Sequence, residues 1–183
     1  HSIFLSKLGI KVTSFEPDPK HMAQLKYNIE INNAKNIECV EKAVSDEYGS
    51  AEFIRIEENT TGSHLSGAKA NPYGRIKNFT VSVTRVDSLL KDHDLAKIDA
   101  EGQEARILLS TKPCDWVSCD AIIEVGCKQN ASMIYSHFQG SELNLFSQKK
   151  NWSKVRCRED MPDSYKEGSL FLSSKDVMPW EDA

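Results

Sequence analysis

The chain has 183 residues, with 23 basic and 27 acidic side chains, a net charge of −4, and 39% hydrophobic residues. This length and balance fit one globular domain spanning 1–183, and they exclude a disordered chain or a coiled-coil rod. The acidic excess argues against a dedicated nucleic-acid or membrane-surface binder, whose affinity rests on positive charge. The apolar runs are far too short to cross a membrane. The opening residues read as a helix fragment rather than a signal peptide. The five cysteines, Cys39, Cys114, Cys119, Cys127 and Cys157, are odd in number and form no C-x-x-C pair. Buried thiols in a reducing compartment are therefore expected, without a disulfide framework or a metal site. Four N-x-[ST] sequons, at Asn59, Asn78, Asn130 and Asn151, pull the other way. A cytoplasmic location remains the expectation.

In chain order, residues 11–15 (KVTSF) form a β-rich run closed by Glu16-Pro17-Asp18-Pro19. Asp18 is placed to cap a helix with Pro19 at its first position. Met22, Leu25 and Ile29 make one stripe, which predicts an amphipathic helix over 21–32. Residues 37–44 (IECVEKAV) read as one strand, followed by a turn at 45–49. Residues 51–56 and 80–86 read as strands flanking a long polar loop, 57–78, of a length that usually means function. Residues 95–99 (LAKID) are a buried-type strand, 103–110 a helix, and 120–125 (DAIIEV) a continuous apolar strand suited to a parallel sheet. Ala131, Ile134, Tyr135 and Phe138 recur at helical spacing. Residues 143–147 and 169–173 close the sheet, with 155–158 a short strand between them. Strands alternating with helices predict an α/β fold with helices on both faces of the sheet, where ligands sit at the carboxyl ends of the strands.

Glu16 ends the first strand, where a carboxylate can accept hydrogen bonds from both ribose hydroxyls of a nucleotide. A helix-start charge favoured by the dipole explains it as well. Ala43 and Val44, near the end of the second strand, suit close approach to a flat base, and equally suit packing. The strongest local signal is Lys97-Ile98-Asp99-Ala100-Glu101-Gly102, two carboxylates and a glycine at a strand exit. The plain alternative is that Asp99 caps the following helix. Glu124, near the end of an apolar strand, is costly unless paired and is a further site candidate. His137 reads as a satisfied or solvated helix residue and His64 as an exposed loop residue. Lys149, Lys150, Lys154, Arg156 and Arg158, around Trp152, read as a solvated basic face.

Taken together, FEPDPKHMAQLKYNIEINN, VEKAVSD, VTRVDSLL, KIDAEGQEARIL and AIIEV resemble, in order and over nearly the whole chain, the FkbM-type methyltransferases. The combination of FEPDP, AVSD and DAEGQE makes the resemblance specific. It implies a class I, Rossmann-like methyltransferase with a doubly wound, mostly parallel sheet. It also implies S-adenosylmethionine as methyl donor and a hydroxyl of a sugar, glycan or natural product as acceptor. Glu16 and Pro17 would then lie at the cofactor's ribose, Ala43 and Val44 at its adenine, and Asp99 beside its sulfonium. Asp99, Glu101 and Glu124 would form the catalytic, acceptor-side group, with no metal. On this pattern the first strand and its glycine-rich loop are missing from the chain. That predicts weak cofactor binding unless about 30 residues, the length of a βαβ unit, precede it. Two other classes stay open: a nicotinamide-dependent oxidoreductase, which also ends a strand on an acidic residue, and a methyltransferase-like binding domain without catalysis.

Overall fold

A computed structural model describes residues 1–57, 62–68 and 75–180. The chain divides into two compact units, His1–Thr84 and Arg85–Ala183.

In the first unit, helix α1 (Ser2–Lys7) lies against β1 (Val12–Phe15), and β1 pairs in parallel with β2 (Ile37–Val40). Helix α2 (Pro19–Ile31) connects the two strands. Its start follows the sequence: the Asp18 carboxylate accepts the Lys20 N–H at 2.8 Å, and Pro19 fills a position whose N–H has no helical partner. Met22 is buried, while Leu25 and Ile29 are only half-buried. Asn33 and Asn36 take left-handed backbone angles, φ 47° and 61°, and turn the chain back into β2. Asparagine tolerates that region better than most side chains.

The expected strand over 37–44 is two strands. Lys42 donates its N–H to the Val40 carbonyl and turns the chain, and Ala43–Ser45 (β3) enters a different sheet. That sheet has the order β3-β6-β4-β5, from β4 (Gly49–Ile56), β5 (His64–Leu65) and β6 (Ile76–Arg85). β4 and β6 are antiparallel from Gly49 opposite Val83 to Ile56 opposite Ile76. Alternation sends Phe53, Val81 and Val83 to one face, where they pack with Ala43 and Leu65. The polar loop expected over 57–78 starts where expected, ends earlier because β6 begins at Ile76, and contains β5. Residues 58–61 and 69–74 lie outside the described residues.

The second unit begins with the one-turn helix α3 (Asp87–Leu90). It is built on a five-stranded mixed sheet of order β10-β9-β11-β8-β7. β7 (Leu95–Ile98) and β8 (Asp120–Ile123) are parallel, an arrangement that the apolar run of β8 suits. β11 (Leu170–Ser173) runs antiparallel to both β8 and β9 (Asn144–Ser147), and β10 (Ser153–Lys154) pairs antiparallel with β9. Helices α4 (Glu104–Leu109) and α5 (Lys128–Phe138) pack on each other. Ile107, Leu108, Ile123, Ile134, Leu170 and Leu172 are fully buried. The Trp116 indole donates to the Thr111 hydroxyl at 2.8 Å, so the largest side chain of this core leaves no buried donor unmet.

Two expectations are corrected. The described strands form three separate sheets of mixed direction, not one doubly wound, mostly parallel sheet. The β1–β2 and β7–β8 pairs are parallel, with α2 and α4 in their crossovers, whereas β4–β6, β8–β11 and β9–β11 are antiparallel. The strand expected over 155–158 is instead Ser153–Lys154, and Arg158–Asp160 forms a short 3₁₀ turn. That turn is held by the Asp160 carboxylate, which accepts the Arg156 and Cys157 N–H groups.

Leu108 is 0% exposed. Leu108→Ala should destabilise the second unit by about 2–5 kcal/mol, read as a lowered urea midpoint with unchanged slope; a loss below about 1 kcal/mol would show a looser core than this one.

Candidate functional site

In the first unit, Glu16 stands at the carboxyl end of β1, its N–H bonded to the Val40 carbonyl across the parallel pair. Glu16 Oε1 accepts the Asp18 N–H at 2.8 Å, while Oε2 has no hydrogen bond among the described residues. Burial raises the Glu16 carboxyl above its ordinary value, against the pull of the Asp18 N–H and of His21. His21, one turn into α2, puts Nδ1 3.9 Å from both Glu16 Oε1 and Asp18 Oδ2.

Beneath this lies an ion pair that sequence reading did not find. Asp18, read only as a helix cap, is fully buried, and both its oxygens accept from Nε and Nη2 of Arg55 on β4. Arg55 also lies over the Phe79 ring at 4.7 Å. Burial alone would raise Asp18, but Arg55, the Lys20 N–H and His21 outweigh it and hold the carboxyl below its ordinary value. The sequence holds no local sign of the pair, since the partners are 37 positions apart.

In the second unit the three expected catalytic carboxylates come together. Asp99 follows directly on β7, and its Oδ2 accepts from Lys97 Nζ at 2.7 Å. Glu124 follows directly on β8, and its N–H donates to the Ile98 carbonyl at 3.0 Å, which sets it beside the end of β7. The Glu124 carboxyl is raised by burial first, then by Asp99 and Glu101, with a hydrogen bond to Asp99 adding to the effect and Lys97 opposing it. Glu101 and Gly102 adopt left-handed angles, φ 50° and 105°, so the chain turns sharply after Asp99. Asp99 does not cap α4; the residue preceding the helix is Gln103, whose buried Oε1 has no partner among the described residues.

Glu104 was not among the expected site residues. Its carboxylate is 2% exposed and accepts from Ala100 N–H at 2.8 Å, Gly102 N–H at 3.1 Å and Asn130 Nδ2 at 3.0 Å. Burial raises it above its ordinary value, and the backbone N–H groups only partly offset this. It lies in the first turn of α4, and its Asn130 partner is 26 positions away in sequence.

Other expected positions separate clearly. Pro17 and Val44 are half-buried, whereas Ala43 is buried in the β3–β6 core and fills packing space. His64, expected to be exposed, is 1% exposed in β5, with Nδ1 2.8 Å from the Gly62 carbonyl. His137 is satisfied by the Thr111 carbonyl at 3.0 Å. Lys149, Lys150, Lys154 and Arg158, four of the five basic residues, pair with Glu167, Asp160, Asp176 and Asp163. All five cysteines are free, but only Cys119 is buried, and Cys114, Cys127 and Cys157 are exposed. Burial pushes the Cys119 thiol up to about 11. The Asn130 sequon lies buried against Glu104, Asn78 and Asn151 are exposed, and Asn59 lies outside the described residues. Among the described residues there is no metal-binding cluster, and no helix is long and apolar enough to cross a membrane.

A family model, the methyltransferase FkbM domain, matches residues 3–143. No curated protein and no solved structure matches the chain. The matched span includes both carboxylate clusters and Arg55.

The Asp18–Arg55 pair sets a pH dependence. Because the folded Asp18 value lies below that of the unfolded chain, its stabilisation is present above about pH 4 and is lost as pH falls through the folded value. The raised Glu16, Glu104 and Glu124 act in the opposite sense: their contribution is present below about pH 4.3 and is lost as pH rises through their folded values. Asp18→Ala should cost about 3–5 kcal/mol at neutral pH, because it leaves Arg55 without its counter-charge, and should flatten the loss of stability below about pH 4. Denaturant melts across pH check this, and an unchanged acid limb would contradict it.

Proposed function

The chain belongs to the FkbM methyltransferase domain family, and we propose that it transfers a methyl group from S-adenosylmethionine to a hydroxyl of a sugar, glycan or small natural product. The supporting observation is the gathering of Asp99, Glu101 and Glu124 about Lys97 at the adjoining ends of two parallel strands. Ligands of α/β sheets are found at such strand ends.

S-adenosylmethionine, when bound, supplies an electrophilic methyl group. A hydroxyl that receives it must be aligned and must lose its proton. Glu124 suits the proton transfer. Its raised affinity for a proton makes it a better base than an ordinary carboxylate, and its hydrogen-bonded neighbour Asp99 can share the proton it takes up. Lys97 keeps Asp99 in place and limits the repulsion among three acids. Glu101, on the same turn, adds an acceptor for a second hydroxyl of a polyol. On the cofactor side, Glu16 fits a ribose: one oxygen is fixed by the Asp18 N–H, and the other is left to accept from a hydroxyl. The buried Asp18–Arg55 pair beneath it holds that geometry.

Incubation with S-adenosylmethionine and a panel of polyhydroxylated acceptors should yield a product heavier by one methyl in mass spectrometry. Asp99→Asn should lower turnover by about 10²–10⁴ while changing cofactor affinity little. Glu16→Ala should weaken S-adenosylhomocysteine binding about 10- to 100-fold in calorimetry, as loss of a hydrogen bond to a charged group would. Retained nucleoside binding with no methyl gain on any acceptor would point to a binding domain instead, and full activity of Asp99→Asn would remove it from the chemistry.

A further inference from the structure

We propose that Glu104 and Asn130 are positioning residues of the carboxylate site: together they clamp the turn after β7 to the start of α5 and so aim Asp99 and Glu101 at Glu124. This rests on the reading of that site as the place of methyl transfer.

Glu104 brings a carboxylate into the interior with no cation paired to it among the described residues. A buried carboxylate left like this is costly unless donors surround it. Here the donors are Ala100 N–H and Gly102 N–H, the groups on either side of Glu101, and the Asn130 amide. The bonds to Ala100 and Gly102 hold Glu101 at φ 50° and Gly102 at φ 105°. A glutamate gains nothing locally from the left-handed region and leaves it when unrestrained. Loss of the clamp would therefore swing the Glu101 side chain away and free the link to Asp99. Asn130 supplies the second anchor. It sits in the first turn of α5, shortly after Glu124, so the clamp ties the segment following β7 to the segment following β8, the two that carry the carboxylates. Asn130 is thereby committed to Glu104, which explains why a sequon residue is 8% exposed.

The test compares Glu104→Ala, Asn130→Ala and Glu104→Gln in the whole chain by amide hydrogen exchange and by kinetics. In Glu104→Ala and Asn130→Ala, exchange at Ala100 and Gly102 should rise at least roughly tenfold beyond any change in global stability, the scale of one lost hydrogen bond. Turnover should fall while KM for S-adenosylmethionine holds. Glu104→Gln keeps a carbonyl oxygen for the two N–H groups, its NH2 can donate to Asn130 Oδ1 once that amide flips, and it should restore both readouts in large part. If Glu104→Ala does not fold, Asn130→Ala decides. Wild-type exchange at Ala100 and Gly102 in folded variants, or turnover that falls only with the folded fraction, would overturn the clamp. If exchange rises as expected but Asp99→Asn keeps full turnover, the reading of the site fails while the clamp stands.

Discussion

A buried carboxylate, with no cation paired to it among the described residues, bonds two segments of the second unit together. Glu104 is satisfied by two backbone N–H groups and one side-chain amide. Those donors belong to the turn that carries Asp99 and Glu101 and to the helix that follows Glu124. One desolvated carboxylate thus bridges the segments that follow two strand ends. The three acids gathered there repel one another, while Lys97 pairs with Asp99 and also draws on Glu124. The cost is visible in Glu124, which burial and its acidic neighbours push toward holding a proton. A site that stores such a cost is where proton transfer is expected.

The first unit solves a related problem differently. Asp18 is as buried as Glu104 but is met by a guanidinium, and its carboxyl is held down rather than pushed up. The result is a fixed support: α2 is tied at its N-terminus to β4, and Glu16, two residues earlier, keeps one oxygen on the Asp18 N–H and the other open. Burial raises both acids, and only Asp18, with a guanidinium beside it, is shifted below its ordinary value.

Much of this was legible in the sequence. The Asp18 cap, the α5 stripe from Ala131 to Phe138, the apolar β8 and the carboxylates Asp99, Glu101 and Glu124 all follow from local pattern. The error over 37–44 arose because a two-residue turn at Glu41-Lys42 has no glycine or proline to mark it. Sheet direction was misjudged because strand periodicity does not distinguish a parallel neighbour from an antiparallel one, and β4 with β6 proved to be a long antiparallel pair. The partners of Asp18 and Glu104 were hidden for another reason. Arg55 is 37 positions from Asp18 and Asn130 is 26 from Glu104, so only the tertiary structure brings them together. Ala43, which local pattern left compatible with both a base and a core, is buried among Phe53, Leu65, Val81 and Val83.

The central claim is that the acids at the ends of β7 and β8 act as one electrostatic group. Carbon-detected NMR titration of the Glu124 carboxyl, in the native chain and in Asp99→Asn, tests it most directly. The account predicts that Glu124 titrates above the ordinary glutamate range and drops toward it when Asp99 loses its charge. A Glu124 that titrates in the ordinary range, or one indifferent to Asp99, would contradict it.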